Sequence, residues 1–191
     1  MDSIVEGLMK QLTAGDALSL MSKKAGTDDK SVKSALEMGL PLLLGAINKN
    51  ASKPEGMNAI MKSLSQTGTD SPLKNISSYL EASDSASGSD MLGSLLGSST
   101  QPIQQALSKS TGLSGGIVGK ILTMALPLLM GSLSKHLGKG VGAEGITKLL
   151  GEQSKMALDA SPNAAGAMQD LLASEKSTGG LWERIKKFFG S

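Results

Sequence analysis

The sequence predicts an all-α fold, a tandem duplicated helical bundle with a pseudo-twofold internal repeat. Three observations predict it. β-Branched residues are sparse and never alternate over a useful length, so no strand is expected. Apolar residues recur at helical spacing between capping residues and Gly or Pro stops. A stretch of the first half also returns in the second. SKKAGTDDKSVKSALEMGLPLLLGAINKN (22–50) aligns with SKSTGLSGGIVGKILTMALPLLMGSLSKH (108–136) at an offset of 86, with 12 identities in 29 positions.

The identities include Gly26/Gly112, Val32/Val118, Leu36/Leu122 and Met38/Met124. The apolar centre Leu40-Pro41-Leu42-Leu43 matches Leu126-Pro127-Leu128-Leu129, and Gly45/Gly131 follow. With small gaps, Glu55-Gly56 pairs with Glu144-Gly145, Ser71-Pro72 with Ser161-Pro162, and Ile4-Val5 with Met91-Leu92. The expected organisation is therefore a first repeat over 1–86, a second over 87–175, and a segment 176–191 outside the duplication. Ten of the eighteen residues in Ser83–Thr100 are Ser or Gly. That composition predicts a flexible connection with a short helical turn at Asp90–Leu96.

The elements follow in order. Ser3 and Glu6 have capping-box spacing, opening a helix with Ile4, Val5, Leu8, Met9 and Leu12 on one stripe. Asp16 suits the cap of a short second helix that Gly26 ends. Thr27 or Asp28 opens the long helix, with Asp28 and Asp29 at its positive end. Ser52 is expected to open a fourth helix with Met57, Ile60, Met61 and Leu64 on one side. Ser71-Pro72 has the form of an N-cap followed by a first-turn proline, leading Leu73, Ile76 and Leu80. The second half repeats this order as far as Ser161-Pro162 with Met168, Leu171 and Leu172. Pro41 and Pro127 fall inside the long helices. Each removes a backbone donor at a cost of about 3 kcal/mol, and a kink that wraps the apolar half of the helix around its neighbours is expected. Gly45 and Gly131, one turn later, permit close helix approach.

Composition narrows the function. The chain has 191 residues and a formal charge of only +2, which disfavours a broad basic nucleic-acid face. Cysteine is absent and there is one His, so disulfide frameworks, thiolate metal sites and His-rich sites are excluded. Asp2 and Glu6 stand where a secretory signal would carry positive charge. The apolar runs Leu36–Ile47 and Ile121–Leu133 are each about a dozen residues, short of the ~20 a spanning helix needs, and read as buried core. With so few aromatics, the eleven methionines read mainly as core filling, and a Met-rich groove for partner helices is the alternative.

The run A-L-x-x-x-L-P-L-L-L-G-x-I (35–47), with S-x-P-E-G after it and T-G-L-S (111–114) and A-L-P-L-L-M-G in the second copy, resembles the YidB-like bacterial proteins, domain of unknown function 937, in two tandem copies. The resemblance implies an all-helical fold of homeodomain-like topology and no established activity, so it supplies no catalytic residues.

The chemical motifs read as structure. Gly140, Gly142 and Gly145 match G-x-G-x-x-G, but a helix precedes them where a dinucleotide site needs a strand. Gly119-Lys120 lacks the spacing of a phosphate loop. His136 closes an apolar helix, where a donor suits the last carbonyls. The carboxylates fall mostly at helix starts. Of 19 basic residues only Arg184 is Arg, the commonest reader of bases.

The tail differs from the rest. Three of the four aromatics of the chain, Trp182, Phe188 and Phe189, lie in LWERIKKFF (181–189), beyond the polar stretch 176–180. On a helix, Leu181, Trp182, Ile185, Phe188 and Phe189 share one face, and Glu183, Arg184, Lys186 and Lys187 take the other. Burying five large apolar side chains yields about 7–15 kcal/mol, at 1.5–3 each. Ordering nine residues costs a similar amount, at about 1–2 kcal/mol apiece. The tail is thus a weak, reversible docking element. The sequence therefore points to a non-enzymatic helical interaction or structural protein whose tail docks on itself or on a protein partner. Its docking residues are Leu181, Trp182, Arg184, Ile185, Lys186, Lys187, Phe188 and Phe189. No cofactor or small-molecule substrate is expected. Peripheral binding to a membrane surface is the first alternative and nucleic-acid binding the second. The expected location is the cytoplasm, or the inner-membrane surface under the lipid reading.

Overall fold

Capping chemistry sets the helix ends in the computed structural model, which describes residues 3–69, 72–82, 85–138 and 141–173. α1 (Ile4–Thr13) opens on Ser3, whose hydroxyl accepts from the Glu6 amide at 3.5 Å. α2 (Ala17–Ala25) closes on Gly26 in the left-handed conformation, φ 82°, with the Gly26 and Thr27 amides both bonded to the Ser22 carbonyl. α3 (Asp29–Ala51) is capped by Asp28, whose carboxylate accepts from the Ser31 amide at 2.9 Å and the Ser31 hydroxyl at 2.7 Å. These bonds, the side-chain one first, hold the Asp28 carboxyl below its ordinary value. α4 (Pro54–Thr69), α5 (Ile76–Ala82), α6 (Ser85–Leu96), α7 (Thr100–Thr111), α8 (Gly115–Leu137) and α9 (Ala143–Asp159) follow, and a further helix, α10, runs over 162–173. α7 ends on Gly112, φ 72°, and α8 is capped by Ser114 accepting from the Ile117 amide. The expected helical class therefore holds, and the described residues contain no strand.

Several local expectations fail, each for a physical reason. The Asp16 side chain makes no capping bond, because its backbone is already in the helical region. Ser52 ends α3 instead of opening α4, which starts at Pro54. Proline suits the first helical position, where an amide would be orphaned anyway. Met61 faces outward, 41% exposed, while Ile60 is buried. α5 opens at Ile76 with the Asn75 side chain accepting from the Ser78 amide at 3.1 Å, well past Pro72. The largest departure is Ser83–Thr100. The stretch expected to be a flexible connection holds the twelve-residue α6, then a 3-10 turn (Gly97–Ser99). Leu92, Leu95 and Leu96 are buried there, so tertiary packing overrides the poor helix propensity of Ser and Gly.

α3 and α8 form the centre. Each has 23 residues and 14 buried ones, including all of Met38–Ile47 in α3 and Ile121–Leu133 in α8. A helix that is apolar nearly all round needs cover on every side. That cover is exchanged between the halves. α9, which follows α8 in sequence, lies chiefly on α3, and α4, which follows α3, lies more on α8 than on α3. The glycine notches show the same exchange. Met168 of α10 packs over Gly45 of α3, whereas Pro72 and Leu73, just after α4, pack over Gly131 of α8. At each notch a side chain on the glycine would displace the incoming residue.

Both central helices continue through their prolines, Pro41 and Pro127. Each proline lacks the amide that would pair with the carbonyl four residues back, at Glu37 and Thr123. In α8 that position is covered by α6: a Cβ on Gly88 would stand 2.6 Å from the Thr123 carbonyl oxygen and 2.8 Å from its Cβ. Only glycine lets the α6 backbone come so near. α1 is tied across the molecule by a buried bond, from the Ile4 amide to Oε1 of Gln153 on α9 at 2.8 Å.

Three outcomes follow. Gly88→Ala forces α6 off the Thr123 carbonyl and lowers stability by about 1–3 kcal/mol, read as a lower urea midpoint at constant m-value. Gln153→Leu leaves the buried Ile4 amide unpaired at a cost of about 1–3 kcal/mol, and hydrogen exchange should show α1 opening first. Asp28 is depressed when folded, so its contribution is complete above the ordinary carboxylate value of 3.8 and fades as pH falls through the lower folded value. Asp28→Asn removes that dependence, and its urea midpoint should fall less steeply than the parent's between about pH 5 and pH 2.

Candidate docking groove

The residues singled out for docking, Leu181, Trp182, Arg184, Ile185, Lys186, Lys187, Phe188 and Phe189, lie outside the described residues. The described body shows which surfaces could receive such a segment. Two open clefts flank the start of α10, and Pro162 and Asn163 line both.

The first is a groove of about 400 Å3 between α1, α3 and the α9–α10 junction. α1 contributes Val5, Glu6 and Met9, on the edge of the stripe that buries Ile4, Leu8 and Leu12. α3 contributes Glu37 and Pro41, one turn apart. Ala157, Ala160 and Pro162 close the far side with side chains too small to fill the space. The floor is apolar: Val5, Pro41 and Ala157 are buried and Met9 is half-buried. The rim is acidic, since Glu6 and Glu37 are exposed. Each carboxylate has a neighbour one turn away on its own helix, Lys10 at 3.1 Å from Glu6 and Lys33 at 3.8 Å from Glu37. All four side chains are more than half exposed, so these pairs contribute at most about 1 kcal/mol and leave the carboxylates open to another cation.

The second cleft, about 620 Å3, separates α7 from α10. Gln105, Lys109, Ser110, Asn163 and Asp170 make its lining more polar and of mixed charge. Elsewhere the exposed large apolar residues Met61, Val141, Met156 and Leu172 belong to different helices or loops.

The other candidate residues serve the fold. His136 places Nδ1 2.8 Å from the Ser132 carbonyl in the last turns of α8. Gly142 stands at the N-cap of α9, in the helix-to-helix passage expected, whereas Gly145 lies in the first turn of α9, and Gly140 is outside the described residues. The methionines divide as composition suggests: Met21, Met38, Met124, Met130 and Met168 are in the core, while Met9 lines the groove. Among the described residues no three His, Asp or Glu side chains gather as a metal site would need. α8 is long and apolar enough by length and composition to cross a membrane, and 72% of its apolar window is buried by the rest of the chain.

Sequence reasoning found Glu6 as a cap, Val5 and Met9 as part of a stripe and Pro41 as a kink, and it did not single out Glu37, Ala157 or Ala160. Their convergence depends on the α9–α10 junction, over a hundred residues away, and no local signal announces it.

A comparison with curated proteins found no match, and one with solved structures found none either. A family model does match, described as a bacterial protein of unknown function (DUF937), over residues 7–136. The match runs from α1 to the end of α8 and takes in both proline-bearing central helices, 130 of the 191 residues. With two thirds of its length so matched, the chain belongs to the DUF937 family of bacterial proteins.

Proposed function

We propose that this protein is a non-enzymatic helical interaction module, built from two tandem copies of a YidB-like unit, with the tail 181–189 as its docking element. The observation that carries the reading is the uneven placing of bulky aromatic side chains. Three of the chain's four aromatics are in that tail, next to Arg184, Lys186 and Lys187, while the core is made of aliphatic residues and Met.

The duplication is supported by the 12 identities in 29 positions. The central helices agree in length, in the place of their proline and in their glycine notch, and each notch receives a segment from the opposite half. The family resemblance implies a homeodomain-like topology for the ancestral unit. The non-catalytic reading is supported by how the polar groups are used. The Asp28 carboxylate, the Asn50 amide, the His136 ring and the Gln153 amide all bond to backbone groups at helix ends.

A second reading is binding to an anionic lipid surface in the cytoplasm. Trp182 and Phe188 with Phe189 would enter the interface while Lys186 and Lys187 meet headgroups. The test compares the full chain with residues 1–176. In a pull-down, proteins retained by the full chain should be lost with the tail; a tail-independent set counts against the module. Equal, negligible flotation of both forms with anionic vesicles removes the lipid reading.

A further inference from the structure

We propose that the tail docks in cis in the groove between α1 and α3, its apolar face over Val5, Met9 and Pro41 and its cations against Glu6 and Glu37. This rests on the reading of the tail as a docking element and adds its seat.

Charge is the first argument. The tail carries Arg184, Lys186 and Lys187 against the single acid Glu183. The groove offers two exposed carboxylates above an apolar floor. The α7–α10 cleft sets Lys109 beside Asp170, and polar side chains make up more of its lining. The tail's two faces therefore match the rim and the floor of the same groove.

Reach is the second. The groove lies at the start of α10, and the described chain stops at residue 173, eleven residues on. At 1.5 Å per residue that is a return of about 17 Å. Residues 174–180 can span up to about 23–25 Å when extended. The chain can therefore turn at Gly179-Gly180 and bring Leu181 back beside Pro162. A nine-residue helix would then add about 14 Å along the groove.

The third argument compares the central helices. At Thr123 and Pro127 of α8, α6 sits close against the carbonyl that the proline leaves without a helical donor. The corresponding residues of α3, Glu37 and Pro41, line the open groove. A second apolar helix laid there would give α3 the cover that α6 gives α8. Tethering also matters, because a flexible linker of a few residues confers an effective concentration of order mM. A docking step whose intrinsic Kd lies below that value, too weak to persist between dilute separate molecules, is thereby favoured within one chain.

Trp182 is the only tryptophan, so its fluorescence reports on the tail alone. In the full-length protein its emission should be blue-shifted and its acrylamide quenching reduced relative to a peptide of residues 176–191. The variant Glu6→Lys/Glu37→Lys should return both to the peptide's values, while the helical body still unfolds in one cooperative transition. Adding Lys186→Glu/Lys187→Glu to that variant should restore the shift by exchanging the charges. Met9→Glu, at the half-buried floor, should also release Trp182. Shielding that survives the groove variants would overturn the seat and leave the docking element intact. Shielding that vanishes on dilution would overturn docking in cis and place the tail on a second copy. Emission equal to the peptide's in the parent protein would overturn any docking of the tail on this chain, and the pull-down and flotation would then decide its other receptors.

Discussion

The structure depends on one constraint: two helices, each apolar nearly all round, must both be kept from water by a chain of short, polar-faced helices. In α3 the whole of Met38–Ile47 is buried, and in α8 the whole of Ile121–Leu133. Neither can lie at a surface. α3 and α8 cover part of each other, and the remainder falls to α1, α2, α4, α6, α7 and α9. An amphipathic helix covers one side of its neighbour, so several are needed for each centre. The exchange of α4 and α9 meets that demand by making each half supply cover to the other. Stability is consequently a property of the pair, because α3 without α9 would expose much of its leucine surface.

Aliphatic packing shapes the details. With four aromatics in 191 residues, the core cannot be filled by a few large rings. It is filled by leucines with low conformational variety and by methionines that adapt to irregular gaps. Small residues then set how near the helices come, as at Gly45 under Met168 and Gly131 under Pro72. The prolines fit the same design. Each leaves one carbonyl without its helical donor. At Thr123 the covering element is a backbone, since Gly88 has no side chain to hold it off. Among the described residues, polar groups cross the halves from Gln153 to the Ile4 amide, and from the Asn50 side chain to the Leu95 carbonyl at 2.9 Å. Both engage helix ends, where orphan backbone groups would otherwise be buried.

The helical class, the two central helices and most helix ends were legible in the sequence, because caps and apolar stripes are local. Asp28 and Ser114 cap where their spacing says they should, and Gly26 and Gly112 close their helices. The failures arise where a longer-range force wins. α6 forms in a Ser- and Gly-rich stretch because Leu92, Leu95 and Leu96 find the core. Pro72 opens no helix because it is buried against Gly131. The exchange itself could not be read. Two similar segments announce likeness, but likeness does not say which half's α4 or α9 covers which centre. The tail's composition marked it as unusual, yet its proposed seat could not be inferred, since Val5, Glu37 and Ala160 become neighbours only after the exchange.

Two central helices of similar sequence need not keep equal surroundings, and the difference between them is where a function could be placed. α6 approaches α8 closely, whereas α1 packs less fully on α3 and leaves the groove beside it. A permanently packed helix would fill the groove and offer no means of response. A short tethered helix whose burial gain and ordering cost nearly cancel can cover the groove and still leave it. In that regime the charges decide the balance. Attraction between exposed carboxylates and lysines is screened over about 8 Å at physiological ionic strength. Under the proposed docking, salt or a competing anionic surface would therefore shift the tail from the groove more readily than any change that must disturb the leucine core.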